Sequence, residues 1–248
     1  MILGYAAIMI AAVAVGALLA RRTQGGLPLT PRQKLGIGLG AFCGAMIGAK
    51  LPFVLADWQG FLSGAAWFSD GKTILCGLVG GYFGVEIAKW ALQIRLKTGD
   101  SFAVPVAAAV GIGRLGCFYA GCCYGTPTGL PWAVVFPQVD EAPRHPTQLY
   151  ESAFHLLCAG LLAYFQSRGW FRGHLIKLYI LLYAAYRFAT EFIRPEARLW
   201  GGWTGYQWAS IVLIALFAWL WWRDTARTER RTTTSISPEE LACTDETS

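Results

Sequence analysis

Five charged residues stand in stretches of the sequence that are otherwise apolar. They are Arg114, Glu151, Arg187, Glu191 and Arg194. Charge inside a membrane is costly, so ionisable residues in such stretches are functional candidates. The arginines outnumber the carboxylates, and the planar guanidinium group is well suited to bind a phosphate or a carboxylate. The residues therefore predict a site for a phosphorylated lipid, and the alternative is that they only pair with one another and fix helix packing.

A second group with chemical potential consists of Cys117, Cys122 and Cys123, three of the seven cysteines in the chain. Cysteines this close together are typical of a metal site, a redox pair or a covalent acceptor, although the spacing matches no standard zinc pattern. Simple packing or a disulfide in an oxidising compartment are the alternatives. We take Cys117 and Cys122 as candidate catalytic residues and assign no metal and no cofactor.

The elements that must position these residues are long apolar helices. The 248 residues are 55% hydrophobic and only 15% charged, with a mean hydropathy of +0.42, which indicates lipid as the solvent. A helix needs roughly 20 mostly apolar residues to cross a bilayer. Segments of that kind cover residues 1–20, 35–56, 73–94, 102–120, 148–165, 175–192 and 206–222. The prediction is an all-α polytopic membrane protein with about seven transmembrane helices.

Lysine and arginine residues concentrate in the connections on one side of this topology, and by the positive-inside rule that side is cytoplasmic. The amino terminus is then outside and the carboxyl terminus cytoplasmic. Residues 1–223 form the transmembrane domain, and residues 224–248 are predicted to be a disordered cytoplasmic tail. The net charge of +6 lies mostly in these cytoplasmic parts, so it does not indicate a nucleic-acid partner.

Three motifs carry a resemblance to a known family. Residues 113–118 read Gly-Arg-Leu-Gly-Cys-Phe, residues 144–151 read Arg-His-Pro-Thr-Gln-Leu-Tyr-Glu, and residues 187–194 read Arg-Phe-Ala-Thr-Glu-Phe-Ile-Arg. They resemble, in order, the signatures of bacterial prolipoprotein diacylglyceryl transferases. Residues 47–51 and Tyr5 are similar to that family's second and first helices, so the resemblance spans nearly the whole chain.

The resemblance implies an enzyme of the bacterial cytoplasmic (inner) membrane. Such an enzyme transfers the diacylglyceryl group of phosphatidylglycerol to the lipobox cysteine thiol of a lipoprotein precursor and releases glycerol phosphate. It implies catalytic roles for Arg114, Arg187 and Glu151, to which we add Cys117 and Cys122. The candidate substrate-binding residues are Tyr5, Lys50, Lys72, His145, Gln148, Tyr150, Glu191 and Arg194.

The sequence departs from the family pattern where proton transfer is concerned. Leu75 stands where the family has the histidine proposed to serve the thiol, and Cys117 and Cys122 replace a signature asparagine and a glutamate. A proton acceptor for a thiol nucleophile is therefore not evident. Two alternatives to the family's reaction stay open. One is a related phospholipid-dependent transferase with another acceptor and cysteine-based chemistry, and the other is a transporter of an anionic lipid or solute.

Overall fold

The structure is a computed structural model that describes residues 2–56, 58–63 and 73–235. The described residues are almost entirely helical. The helices are α1 (Ile2–Gly25), α2 (Pro31–Ala56), α3 (Trp58–Ser63), α4 (Ile74–Ala91), α5 (Asp100–Tyr119), α6 (Thr147–Arg168), α7 (Leu175–Thr190) and α8 (Gly205–Ser235). Two short antiparallel strands, β1 (Val134–Val135) and β2 (Pro143–Arg144), lie in the connection between α5 and α6.

Each of the seven segments predicted to cross the membrane coincides with one of the long helices. Five of them, α1, α2, α4, α5 and α8, are long and apolar enough to span a bilayer. An all-helical, multi-pass membrane protein is thus confirmed. Of the other two helices, α7 has only 16 residues, and α6 buries a polar face of Thr147, Gln148, Glu151, Ser152 and His155. A count of about seven spans, and the orientation, remain predictions.

The helices pack as neighbouring pairs around α5. Helix α5 contacts α1 on one side and α6 on another, while α7 packs against α8 and α2 against α4. The largest buried apolar cluster joins α5, α6, α7 and α8 through residues such as Ala107, Leu162, Tyr179, Ile180 and Phe217. This packing brings the carboxyl end of α5 beside the amino end of α6, which is where the predicted site residues lie.

Glycines allow α2 and α4 to approach each other at backbone distance. Gly40, Gly44 and Gly48 recur at every fourth position of α2 and face Gly80 and Gly84 of α4. A Cβ atom built on Gly44 would lie 2.3 Å from the carbonyl oxygen of Gly80. Helices in lipid associate through such small-residue contacts, because apolar burial offers little driving force there.

We expect Gly44→Ala to destabilise the protein by about 1–3 kcal/mol, because the two helix backbones must separate to admit the methyl group. Gly38→Ala is the matched control on the same helix, since a Cβ there has no atom within 4 Å. The measurement is the unfolding temperature of both variants in the same detergent. Equal unfolding temperatures for the two variants would contradict close packing of α2 against α4.

Helix α8 continues well beyond the last predicted span. It runs to Ser235 and so enters the segment from residue 224 that was predicted to be a disordered tail. Asp224 forms an ion pair with the buried Lys177 of α7, and this contact ties the continuation of α8 to the bundle. Residues 236–248 lie outside the described part of the chain.

Candidate active site

The centre of the site is the carboxylate of Glu151, which is completely buried in the first turns of α6. Its Oε1 atom accepts hydrogen bonds from Arg114 Nη2 at 2.7 Å and from the hydroxyl of Tyr183. Its Oε2 atom accepts a hydrogen bond from Arg194 Nη2 at 2.7 Å. His155, one turn further along α6, places Nε2 3.8 Å from Oε1. One carboxylate thus joins α5, α6, α7 and the segment after α7.

The spacing of Arg187, Glu191 and Arg194, four and three residues apart, predicts that all three lie along one helix face, and this prediction is wrong for Arg194. Helix α7 ends at Thr190, Glu191–Ile193 form a 3-10 turn, and Arg194 has extended backbone angles of φ −110° and ψ 146°. Pro195 follows, and the residue before a proline is disfavoured in the helical region by a steric clash. The guanidinium of Arg194 therefore leaves the face of Arg187 and reaches Glu151 instead.

Arg187 and Glu191 form a separate ion pair. Arg187 Nη2 lies 2.9 Å from Glu191 Oε2, and its guanidinium carbon lies 4.3 Å from the centre of the Tyr206 ring. Both side chains are buried, and their opposite charges cancel within the bundle. The charged residues therefore do pair with one another, as the alternative to a lipid site predicted. The pairing divides the five residues into two groups, one around Glu151 and one formed by Arg187 and Glu191.

The group around Glu151 keeps a surplus positive charge, because two arginines share one carboxylate. The Nε atoms of Arg114 and Arg194 are buried and have no hydrogen-bond acceptor among the described residues. Buried guanidinium N–H groups without acceptors are unfavourable, and native proteins rarely leave them so. The arrangement is chemically suited to an anion with several oxygen acceptors, such as a phosphate.

Three thiols lie beside this cluster. Cys117 is near the end of α5, Cys122 and Cys123 are in the turn that follows, and the three sulfur atoms all lie within 4.8 Å of one another. Arg114 Nη1 is 3.9 Å from the Cys117 sulfur. Both candidate catalytic cysteines therefore lie next to a predicted phosphate-binding arginine, and Cys123 completes the group.

Helix α6 holds the cysteine turn in place. The side chain of Gln148 donates a hydrogen bond from Nε2 to the carbonyl of Cys122, and Thr147 Oγ1 donates to the carbonyl of Cys123 at 2.7 Å. Cys123 has a φ of 61°, a left-handed conformation that is uncommon for a residue with a side chain. The strained turn persists because two side chains of α6 fix it.

The thiols of the turn differ in acidity. Hydrogen bonds from Cys117 and Cys122 to the Cys123 sulfur, aided by the charges of Arg114 and Arg194, hold the pKa of the Cys123 thiol well below its usual range. The same hydrogen-bonding arrangement raises the pKa of the Cys122 thiol.

The other predicted substrate-binding residues are more scattered. Tyr5 on α1 packs beside Gly116 of α5, which places it next to Cys117. His145 and Tyr150 contact each other, with Nδ1 3.5 Å from the hydroxyl, and Trp132 donates a hydrogen bond to the same hydroxyl. These residues lie in and next to the segment that leads into α6.

Of the two predicted lysines, only Lys50 belongs to the described part of the chain. Lys50 is buried on α2, and α2 packs mainly against α4. Lys72 lies outside the described residues. Gln148, predicted to bind substrate, is fully buried and supports the cysteine turn instead.

The cluster has an aromatic side that was not predicted from the sequence. Tyr183 donates to Glu151, and Tyr179 shares a 2.7 Å hydrogen bond with His155 Nδ1. Leu75 packs in the same buried apolar group as Tyr183. A signal was available for Tyr183, since it precedes Arg187 by one helical turn on the same face of α7.

The fold and the site together define a polytopic helical membrane protein with a buried carboxylate held by two arginines beside three thiols. The family model described as prolipoprotein diacylglyceryl transferase matches residues 1–223. The chain belongs to the prolipoprotein diacylglyceryl transferase family.

Several relatives are named phosphatidylglycerol–prolipoprotein diacylglyceryl transferase. The protein of Methylococcus capsulatus is 33% identical over 218 residues, which cover 84% of this chain and 82% of that protein. The protein of Clostridium tetani is 34% identical over 166 residues, 62% of this chain and 66% of that protein. The protein of Legionella pneumophila is 33% identical over 156 residues, 58% of this chain and 60% of that protein. The chain thus spans less than two thirds of the clostridial and Legionella relatives.

Proposed function

We propose that this protein is a membrane transferase that moves the diacylglyceryl group of phosphatidylglycerol to a cysteine thiol of a lipoprotein precursor. The observation that carries the proposal is the surplus positive charge around Glu151, where Arg114 and Arg194 share one buried carboxylate and keep unsatisfied N–H groups. Membership of the family and the names of the relatives support it.

In the proposed reaction the phosphate of the lipid binds to the free N–H groups of Arg114 and Arg194. The thiol gives up its proton to solvent, its sulfur forms a bond to the glyceryl carbon attached to the phosphate oxygen, and that carbon–oxygen bond breaks. The electron pair stays on the phosphate oxygen, so the arginines stabilise charge that develops on the leaving group. Glu151 and Tyr183 hold the arginine side chains in position. We infer a phosphate-binding role for Arg187 as well, and to fill it Arg187 must share its Glu191 ion pair with the phosphate.

An apolar cavity supports a lipid substrate. It has a volume of about 90 Å³, and its lining includes Ala45, Gly81, Tyr82, Val106 and Ile176 from α2, α4, α5 and α7. Val106 precedes Arg114 by eight residues on α5, a rise of roughly 12 Å at 1.5 Å per residue. The hollow can take part of one acyl chain of a lipid whose phosphate lies at Arg114.

The proposal includes the placement of the protein. Seven helices cross the bacterial inner membrane, with the amino terminus outside and the segment from residue 224 on the cytoplasmic side. In this orientation the site lies near the outer surface, where a phospholipid enters from the outer leaflet and a secreted precursor presents its cysteine. The concentration of lysine and arginine in the connections assigned to the cytoplasm supports it.

The test is product formation by the purified protein in nanodiscs that contain phosphatidylglycerol. We expect a lipobox peptide to gain the mass of a diacylglyceryl group, and glycerol phosphate to appear in equal amount. A peptide with serine in place of the lipobox cysteine is the control and should remain unmodified. Expression in cells depleted of their own lipoprotein transferase should restore growth.

The outcomes separate this proposal from its alternatives. Release of glycerol phosphate without peptide modification indicates a related transferase with a different acceptor. Intact-protein mass spectrometry that finds the lipid on the enzyme indicates cysteine-based covalent chemistry. Movement of lipid across the membrane with no release of glycerol phosphate indicates a transporter and rejects the transferase.

A further inference from the structure

A thiol acceptor must lose its proton before it attacks carbon, because the thiolate is the nucleophile and a free cysteine has a pKa of about 8.5. The described surroundings of Glu151 do not offer an evident base for this. His155 is completely buried, with Nδ1 engaged by Tyr179. Leu75, which packs with Tyr183, is apolar. The acceptor therefore needs another means of deprotonation.

We propose that Cys117, Cys122 and Cys123 bind a thiophilic divalent cation, most suitably Zn²⁺. The acceptor thiol binds at the open fourth coordination position of this cation. This inference rests on the proposed transferase function and supplies its missing proton acceptor. Catalytic zinc sites keep three protein ligands and one open position. A thiol that coordinates such an ion is deprotonated outright.

The geometry of the three sulfurs fits this role. With Zn–S bonds of about 2.3 Å, tetrahedral ligand sulfurs stand slightly under about 4 Å apart. The three sulfur atoms lie within 4.8 Å of one another, so a small closing movement of the side chains forms the site. Cys122 and Cys123 are exposed, which leaves the fourth position accessible to a peptide.

The surrounding charges favour the same assignment. Three thiolates with Zn²⁺ carry a net negative charge, and the net positive group of Arg114, Arg194 and Glu151 lies next to them. Arg114 Nη1 is 3.9 Å from the Cys117 sulfur and can donate to the thiolate. Contacts of this kind around the ligands orient them and tune the metal. Gln148 and Thr147 hold the ligand turn by its backbone carbonyls.

The reaction balances without an oxidant or a reductant. The acceptor thiol releases its proton to water when its sulfur binds the metal. The sulfur electron pair then forms the bond to the glyceryl carbon, and the broken carbon–oxygen bond leaves its pair on the phosphate. Glycerol phosphate departs and takes up a proton according to the pH. The thioether product carries no charge and is a weaker ligand than a thiolate, so it dissociates.

Metal binding can be tested without any turnover. Full-length protein, purified reduced and metal-free in detergent, is titrated with Co²⁺ as an optical stand-in for Zn²⁺. We expect a sulfur-to-cobalt charge-transfer band that saturates at an equimolar amount and disappears on addition of Zn²⁺. Cys117→Ser, Cys122→Ser and Cys123→Ser should each weaken binding by more than about 10-fold. Cys43→Ser and Cys158→Ser, which alter cysteines outside the group, should leave binding unchanged.

Where Cys117→Ser fails to fold, Cys122→Ser at the exposed turn provides the same test. The proposal is overturned if no charge-transfer band appears although a thiol reagent shows that the cysteines are reduced and free. A disulfide among these three cysteines that persists in the membrane-purified protein overturns it as well. So does a band that is equally strong in all three serine variants.

The open position has its own readout. A lipobox peptide should strengthen and shift the charge-transfer band by adding a sulfur ligand, and the serine peptide should not. Transfer at full rate by metal-free protein would overturn the metal proposal and leave the transferase intact. Metal and peptide binding as expected, with no transfer to any peptide, would reject the transferase and leave the metal site standing.

Discussion

Arg114→Ala is expected to lower the rate of phospholipid turnover by about 100- to 1,000-fold, the usual effect of removing one donor that stabilises developing charge. Arg114 also binds Glu151 through its Nη2 atom. Its Nε atom has no hydrogen-bond acceptor among the described residues and is therefore able to donate to a phosphate oxygen. Arg114→Lys should recover only part of the rate, since an ammonium group lacks the planar fork that binds two phosphate oxygens.

The measurement is glycerol phosphate release at saturating phosphatidylglycerol. Arg168→Ala is the matched control, because it removes the same charge from the exposed end of α6, where the guanidinium lies over the Tyr164 ring. Its rate should equal that of the unaltered protein. If Arg114→Ala turns over lipid at the rate of this control, Arg114 has no part in binding the phosphate.

Glu151→Gln should have the largest effect on stability. The carboxylate is completely buried and forms ion pairs with both Arg114 and Arg194, so the change leaves two buried guanidinium groups without a counter-charge. Removal of one partner from a buried ion pair typically costs about 3–5 kcal/mol. The amide keeps one acceptor oxygen and places an NH2 donor against one of the two arginines, so the loss combines the missing charge with one lost hydrogen bond.

The measurement is the free energy of unfolding in mixed micelles. Glu86→Gln is the matched control, because it breaks the Lys89–Glu86 ion pair, whose glutamate side chain is 45% exposed. That change should cost less than about 1 kcal/mol. In an Arg194→Gln background, Glu151→Gln should become less destabilising, since one charge of the pair is already absent. Additive effects of the two changes would show that Glu151 and Arg194 do not interact.

The helices could be predicted because their signal is local. Apolar runs of sufficient length, separated by breaks rich in glycine, proline and charge, placed seven segments that the structure bears out as helices. The order of three motifs indicated the family before any contact was known. The end of α8 was harder to predict, since the Lys177–Asp224 ion pair joins residues that lie far apart in the chain.

By itself, the sequence determined the helical class, the family and the charged residues at the centre of the site. Only the tertiary structure decided how those charges pair. Arg194 reaches Glu151 because α7 ends before Pro195, and Arg187 is left with Glu191. The structure also decided that Cys117 meets Cys122 and Cys123, because a turn fixed by α6 folds back on the end of α5. Composition and spacing act along the chain, whereas a site depends on side chains that meet across helices.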